Sequence, residues 1–249
     1  MRTNRTPLRT AAVTALAFLL TGCAGSAGGA DGAGGARTAA HAVRQAPPSG
    51  VTASKIASVK GARIAIHQAK DGPVQRTIKS PNGYGATRVF LVERDEGAWL
   101  QVLLPIRPNG SKGWIKAADV TLTETTHRVE IDRGAFSFTV FDGDRVVRTG
   151  KVATGEAGTP TPPGRYYFTE LVKPAGAGGA YGAYAFGLSG FSPVLKTFAG
   201  GPGQLAVHGT DDASAIGTRA SHGCVRVSNA DITWMAKNLA IGTPVVVKG

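Results

Sequence analysis

The hydrophobic and polar pattern after Lys55 is that of short β-strands separated by turns. ARIAIHQ alternates apolar and polar residues, and RVFLVERDEGAWLQVLL contains two apolar runs around the turn-like segment RDEGA. NGSKGWI and KAADVTL continue this pattern to about Leu122. Closely spaced strands with glycine turns predict a small barrel over residues 55–122.

A second β-rich block occupies residues 126–249. HRVEID, FSFTVFDGDRVVRTGK, LAVHGT and TPVVVK predict strands, and FDGD predicts a hairpin turn. SNADITWMAKNLAIG predicts the one main helix, because Ser228 can cap its first turn and its apolar positions share one face. Those apolar positions are Ile232, Met235, Ala236 and Leu239. We therefore predict a mostly β fold, with a small barrel followed by a β-rich domain with one main α-helix.

The stretch PAGAGGAYGAYAFGLSGFSP at positions 174–193 has no clean period. It predicts a mobile loop with one short strand. The four aromatic residues there either form a lid over a site or pack as ordinary loop residues, and the sequence leaves both open. They are Tyr181, Tyr184, Phe186 and Phe191.

The first 22 residues have the plan of an export signal. Arginines precede the apolar run AAVTALAFLL, which is too short to span a bilayer, and LTGC follows. This resembles the lipobox of bacterial lipoproteins, in which Cys23 becomes the lipidated N-terminus; the alternative is an ordinary secretory signal with an incidental cysteine. Gly, Ala and Pro dominate residues 23–54, which predicts a disordered tether. We expect an exported, membrane-anchored protein that faces the cell wall.

The chain is basic, with a formal net charge of +12 over 249 residues. Such a charge suits an anionic envelope polymer or a membrane surface. No basic run is interleaved with aromatic residues, so we expect no nucleic-acid partner.

A lone thiol is the strongest chemical signal. If Cys23 carries lipid, Cys224 in the stretch ASHGCVRVSN has no intramolecular partner. An odd thiol in an exported protein forms an intermolecular bridge or is reactive, and we favour the reactive group because an idle thiol is a liability in oxidising surroundings. A thiol needs a base to act as a nucleophile at neutral pH. His208 ends the strand LAVHG and is the better proton acceptor, while His222 shapes the loop and Gly223 permits a tight bend. These residues indicate Cys–His acyl transfer.

The order H-G-T, then a short loop, then S-H-G-C-V-R resembles the signature of L,D-transpeptidase catalytic domains of the YkuD type. TPTPPGRY resembles the T-P-x-G-x-[YF] loop of that family with one extra residue, and Trp99 and Trp114 lie in a pattern that resembles bacterial SH3-like domains. The resemblance implies Cys224 as nucleophile, His208 as base and the Gly209 carbonyl as the orienting group. It implies an oxyanion hole from main-chain amides of residues 222–224, including those of His222 and Gly223. We expect substrate contacts from Ser221, Arg226, Asn229 and Tyr184.

The resemblance also implies a reaction and its partners. The thiolate would attack the carbonyl of the third residue, a diamino acid, in a peptidoglycan stem tetrapeptide, and release D-alanine. A side-chain amine of a second stem would resolve the thioester and form a 3–3 cross-link. Carbapenem-type β-lactams would acylate the same thiol, and no cofactor is required.

Several alternatives stay open at this point. If water resolves the thioester, the enzyme is an L,D-carboxypeptidase. If the domain is degenerate, the protein is a non-catalytic wall-binding lipoprotein. His208, His222 and Cys224 could hold a metal only with a fourth donor such as Asp211 or Asp212, and the ligand spacing is not that of a zinc site, so we expect none. A redox site lacks a resolving thiol, and an inert buried cysteine does not explain the flanking residues.

Overall fold

Seven strands of the N-terminal block form one antiparallel sheet in the computed structural model, which describes residues 53–175 and 179–249. The strands are β1 (Ser54–Val59), β2 (Arg63–His67), β3 (Val74–Lys79), β4 (Val89–Glu96), β5 (Trp99–Leu103), β6 (Lys112–Lys116) and β7 (Val120–Thr125). Their order is β3-β2-β6-β5-β4-β1-β7. Strand β7 continues past Leu122 to Thr125 because it stays paired with β1 along its whole length. Trp99 and Trp114 are both buried.

The predicted export signal, Cys23 and the tether up to residue 52 lie outside the described residues. Among the residues that are described, no helix has the length and apolar character needed to cross a membrane.

The C-terminal block is built on an eight-stranded mixed sheet with one helix. Its order is β10-β9-β8-β17-β12-β13-β14-β16. The strands are β8 (His127–Asp132), β9 (Ser137–Asp142), β10 (Arg145–Lys151), β12 (Gly164–Val172), β13 (Ala185–Phe191), β14 (Gln204–His208), β16 (Val225–Arg226) and β17 (Pro244–Lys248). The short strands β11 (Thr154–Gly155) and β15 (Arg219–Ser221) pair with each other in parallel. The predicted mostly β architecture with one main helix is confirmed.

Helix α1 (Asn229–Asn238) follows β16 directly. The Ser228 hydroxyl oxygen accepts a 3.0 Å hydrogen bond from the Asp231 amide, as the N-cap pattern predicts. The Asp231 carboxylate also accepts two hydrogen bonds from the Arg148 guanidinium, at 2.9 and 2.7 Å. Ile232 and Met235 are buried against the sheet, so the helix is fixed at both its N-terminus and its apolar face.

The stretch at 174–193 contains a full interior strand rather than mainly a loop. β13 pairs with β12 on one side and β14 on the other. Phe186 is completely buried and stacks on Phe168 at 4.2 Å between ring centroids, and the Phe191 ring contacts Arg107 of the N-terminal block at 4.6 Å. The lid alternative is therefore wrong for Phe186 and Phe191, because a buried core ring and a ring held by Arg107 are not free to cover a site.

The two blocks share an apolar contact. Ile56, Leu91 and Leu103 of the first sheet pack with Tyr167 of β12. The Tyr167 hydroxyl donates a 3.1 Å hydrogen bond to the Val89 carbonyl, so the polar end of this buried ring has a partner. This contact fixes the N-terminal block against the sheet that carries the candidate site.

Candidate active site

Cys224 and His208 lie on the same face of two adjacent parallel strands. Val207 pairs with Val225 and His208 with Arg226 between β14 and β16, so one residue earlier Ala206 stands beside Cys224. Val207 and Val225 both face the hydrophobic core. Because side chains alternate along a strand, His208 and Cys224 both face away from that core. They are diagonal neighbours, a separation that a long side chain bridges.

The His208 imidazole is held in one tautomer. Its Nδ1 lies 2.6 Å from the Gly209 carbonyl oxygen, which can only accept, so Nδ1 carries the proton and Nε2 is left as the acceptor. The side chain is buried, with 4% of its surface exposed. Burial lowers the pKa of His208 to about 4, although the Gly209 hydrogen bond acts in the opposite direction. The imidazole is therefore neutral at physiological pH and able to accept a proton.

The Cys224 thiol is half-buried and lines a groove of about 300 Å³. Burial raises the pKa of this thiol, while a hydrogen bond with the Ala206 backbone and the positive charge of Arg226 act to lower it. The resting pair is thus a neutral thiol and a neutral imidazole. In such a pair, a thiol can act as a nucleophile only if its proton passes to the imidazole.

The loop that carries the thiol is fixed by buried hydroxyl groups. The Ser221 hydroxyl donates a 2.5 Å hydrogen bond to the Cys224 carbonyl and accepts one of 3.1 Å from the Gly223 amide. The Thr161 hydroxyl donates to the Gly223 carbonyl at 2.8 Å and accepts from the Gly155 amide at 2.9 Å. Gly223 itself has a φ of 119°, which side-chain-bearing residues rarely adopt. Through Thr161, the TPTPP loop therefore positions the loop that carries Cys224. The resemblance of this loop to the T-P-x-G motif did not predict that role.

These contacts revise the expected oxyanion hole. The Gly223 amide already donates to the Ser221 hydroxyl, so it is not available for the predicted oxyanion hole. Ser221 is buried, with 2% of its surface exposed, which suits a loop-bracing role better than the substrate contact predicted for it. The His222 side chain is exposed, and its ring lies 5.2 Å from that of Phe198.

Arg226 lies next to both reacting side chains. It pairs with His208 across the ladder, and its charge acts on the pKa values of His208 and Cys224. Its Nε is buried and has no hydrogen-bond partner within residues 53–175 and 179–249. A guanidinium in this position can bind a carboxylate.

Asn229 bridges two backbone segments beside the imidazole. Its side-chain oxygen accepts a 3.0 Å hydrogen bond from the Ala183 amide, and its Nδ2 donates one of 2.8 Å to the Thr210 carbonyl. The Tyr184 carbonyl accepts a 3.1 Å hydrogen bond from the Gly209 amide, and the Tyr184 ring packs partly against the core. Both residues, predicted to touch substrate, thus hold the Gly209 segment whose carbonyl orients His208.

Tyr181 covers the site. Its ring centroid lies 4.8 Å from that of His208, and it lines the same groove as Cys224. Its side chain is 38% exposed. Of the four aromatic residues considered for a lid, Tyr181 is the one with the required position.

The geometry agrees with one sequence family. Residues 126–247 match the family model of YkuD, described as the L,D-transpeptidase catalytic domain. These residues form a YkuD-type L,D-transpeptidase catalytic domain. The match contains the whole eight-stranded sheet except Lys248, and it contains Cys224, His208 and the TPTPP loop.

Relatives of the YkuD-type domain occur in Bacillus. The chain is 31% identical over 121 residues to "Putative L,D-transpeptidase YkuD" of Bacillus subtilis, covering 49% of this chain and 65% of that protein. It is 27% identical over 154 residues to the protein of the same name from Bacillus licheniformis, covering 59% and 85%. Among solved structures, L,D-transpeptidase 3 from Mycobacterium tuberculosis in complex with a faropenem-derived adduct shows 18% identity and a TM-score of 0.43, covering 65% of this chain and 73% of that one.

The donors of the alternative metal site are not brought together in the YkuD-type domain. Across the part of the chain that the structure describes, no three His, Cys, Asp or Glu side chains are close enough to hold a metal ion. His222 points to solvent beside Phe198, whereas His208 is buried under Tyr181.

Proposed function

We propose that this protein is a cysteine-dependent peptidoglycan L,D-transpeptidase that forms 3–3 cross-links through a thioester. The observation that carries the proposal is the pairing of a groove-lining thiol with a neutral imidazole on the same sheet face. The YkuD family match of residues 126–247 supports the same reaction class.

The first half-reaction is acylation. Cys224 Sγ attacks the carbonyl of the third stem residue as its proton moves to His208 Nε2. The amides of His222 and Cys224 stabilise the oxyanion, and Arg226 binds the carboxylate of the donor stem. The protonated His208 then gives its proton to the departing amine of D-alanine, which leaves the thioester on Cys224.

The second half-reaction returns the thiol. The side-chain amine of a neighbouring stem attacks the thioester, and His208 takes a proton from that amine. The new amide is the 3–3 cross-link, and Cys224 recovers its proton. Water in place of the amine would give the tripeptide of an L,D-carboxypeptidase.

Muropeptide analysis with the purified protein tests the proposal. Disaccharide tetrapeptides should yield 3–3 dimers and free D-alanine, and Cys224→Ala should yield neither. If the product is a tripeptide without any dimer, the protein is an L,D-carboxypeptidase and not a transpeptidase. If the tetrapeptide is unchanged, a non-catalytic wall-binding protein is favoured.

Covalent labelling gives an independent test on intact protein. A carbapenem should add one adduct by mass spectrometry. Because the chain has two cysteines, Cys23→Ser serves as the matched control and should keep the adduct that Cys224→Ser loses. An adduct on the Cys224→Ser protein would contradict the assignment of the nucleophile.

We further propose that Cys23 is lipidated and tethers the domain to the membrane. The LTGC sequence after an apolar run supports this. In a bacterial host the protein should fractionate with membranes, and Cys23→Ala should move it to the soluble fraction. Equal fractionation of both proteins would contradict the lipid anchor.

A further inference from the structure

A bulge in β12 turns a carboxylate toward the catalytic groove. Phe168 pairs with Leu188 and both face the core, and the regular alternation of a strand would put Glu170 on that core face as well. The register shifts between Phe168 and Glu170, so Glu170 pairs with Gly187 and lies on the opposite face. Bulges beside active sites re-aim side chains in this way.

Glu170 and Cys224 stand at the two ends of one row across the sheet. Glu170 pairs with Gly187 and Gly187 with Ala206, and the Ala206 backbone is hydrogen-bonded to Cys224, which directly precedes β16. The two middle residues are small, so they form an open floor between the carboxylate and the thiol. Glu170, Gly187, Ala206 and Cys224 all line the same groove.

The Glu170 carboxylate leans along this row toward the thiol. A Cβ on Gly187 would overlap Glu170 Oε1, so the carboxylate lies directly over that glycine. Neighbouring strands are about 4.8 Å apart, which puts the carboxylate roughly 10 Å from the Cys224 backbone. In the acyl-enzyme, the cysteine side chain and an extended diamino acid residue lie end to end between the Cys224 backbone and the distal nitrogen. Together they span a distance of this order, so the nitrogen can reach the Glu170 carboxylate.

In the described part of the chain, the carboxylate is held in place by hydrogen bonds and not by an ion pair, although burial raises its pKa and the charge of Arg88, beyond ion-pair distance, acts to lower it. Asn82 Nδ2 donates a 2.7 Å hydrogen bond to Oε2, and Gln204 Nε2 donates one of 2.9 Å to Oε1. Glu170 is 3% exposed, and no Lys or Arg forms an ion pair with it within residues 53–175 and 179–249. Two hydrogen bonds leave acceptor capacity on a carboxylate, and a buried carboxylate without a cation is costly.

Asn82 brings the N-terminal block into this arrangement. Its side-chain oxygen accepts hydrogen bonds from the Tyr84 and Ala86 amides, each 3.0 Å long, which fixes the amide that donates to Glu170. Tyr84 lines the groove from the same loop. The loop between β3 and β4 therefore forms one wall of a groove whose thiol belongs to the YkuD-type domain.

We propose that Glu170, oriented by Asn82 and Gln204, binds the distal ammonium group of the diamino acid in the acyl-donor stem. This rests on the proposed function and adds a specificity residue to it. The ammonium group supplies the direct ion pair that Glu170 lacks among the described residues, and the small residues Gly187 and Ala206 leave room for the side chain between Glu170 and Cys224. The N-terminal block then takes part in substrate selection through Asn82.

The test compares two donor tetrapeptides in single-turnover acylation, followed by intact mass of the full chain. One donor has a free distal amine and the other has that amine acetylated. A hydrogen bond to a charged group predicts that the free-amine donor acylates Cys224 at least about tenfold more efficiently. Equal efficiencies for the wild-type protein would overturn the subsite while leaving the transpeptidase proposal intact.

Variants assign the preference to Glu170. In Glu170→Gln the ratio of the two efficiencies should fall to near one, and Glu170→Asp, which shortens the side chain, should give an intermediate ratio. Glu124→Gln removes one charge from an exposed position on β7 and should keep the wild-type ratio. A Glu170→Gln protein that slows both donors by the same factor would show a purely structural role and reject the inference.

Failure of the parent proposal has a different signature. If neither donor acylates the wild-type protein, peptidoglycan transpeptidation is rejected and the subsite falls with it. If both donors acylate equally, only the subsite falls.

Discussion

The Thr161 hydroxyl donates a 2.8 Å hydrogen bond to the carbonyl of Gly223, the residue that precedes the reactive thiol. The two residues are 62 positions apart, and the contact is buried. It joins the proline-rich loop to the nucleophile loop at the point where the backbone has a positive φ. The sharp bend that presents Cys224 is therefore braced from outside its own segment.

Replacing this hydroxyl tests the brace. Thr161→Val keeps the shape of the side chain but leaves the Gly223 carbonyl and the Gly155 amide without their buried partner. We expect a loss of about 1–3 kcal/mol in the free energy of unfolding, together with slower acylation. Urea unfolding and the rate of carbapenem adduct formation measure the two effects. Thr123→Val on the exposed face of β7 is the matched control, and equal losses in both variants would contradict the brace.

The buried His208 predicts an acid-sensitive fold. Its pKa is about 4 when folded and near 6.5 when unfolded, so the unfolded chain binds the proton more tightly. The stabilisation is complete above pH 6.5 and is lost as the pH falls toward 4, by roughly 3 kcal/mol. Unfolding free energies at pH 7 and pH 4.5, compared between the wild type and His208→Asn, isolate this contribution, because other groups titrate in both proteins. If the unfolding free energies of the wild type and His208→Asn depended on pH in the same way, His208 would not contribute to the acid sensitivity.

The same pKa sets the acid limit of the chemistry. Because His208 stays neutral down to about pH 4, the acylation rate of the free enzyme should persist below pH 6 rather than fall with an ordinary imidazole. A pH profile of single-turnover adduct formation, limited to conditions in which the protein remains folded, measures this. A midpoint near 6.5 would mean that the base is solvated during the reaction.

The ring of Tyr181 is expected to confine the substrate over the imidazole. Tyr181→Ala should lower the acylation efficiency by about tenfold, since an aromatic contact at 4.8 Å from His208 is lost. The thermal midpoint should change little because the side chain is 38% exposed. Tyr181→Phe keeps the ring and should retain most of the efficiency. An alanine variant as efficient as the wild type would remove Tyr181 from the site.

Local sequence patterns predicted the parts of the fold that depend on neighbours in the chain. Alternating residues gave β8, β9 and β14, and the Ser228 cap gave the start of α1. The prediction that His208 would approach Cys224 rested on two strand ends meeting, and β14 and β16 do pair in parallel. The Gly209 carbonyl also contacts His208 Nδ1 as the family resemblance implied.

The remaining features depend on contacts between distant residues. The bulge that turns Glu170 to the groove has no sequence signal, because the residues TELV are equally compatible with a regular strand that has no bulge. Asn82 meets Glu170 across 88 positions, and nothing local marks either residue. The sequence around Phe186 allows a lid because its many glycines hide the period of β13, and only pairing on both edges makes that segment an interior strand.

The position of β17 ties the start of the YkuD-type domain to its end. Residues 244–248 run parallel to β8 on one side and antiparallel to β12 on the other. Without them the other seven strands would divide into a three-stranded piece, β10-β9-β8, and a four-stranded piece that carries both His208 and Cys224. The segment that completes the sheet therefore comes after Cys224 and His208 in the chain, so a product truncated before Pro244 would contain both side chains without the strand that joins the two pieces.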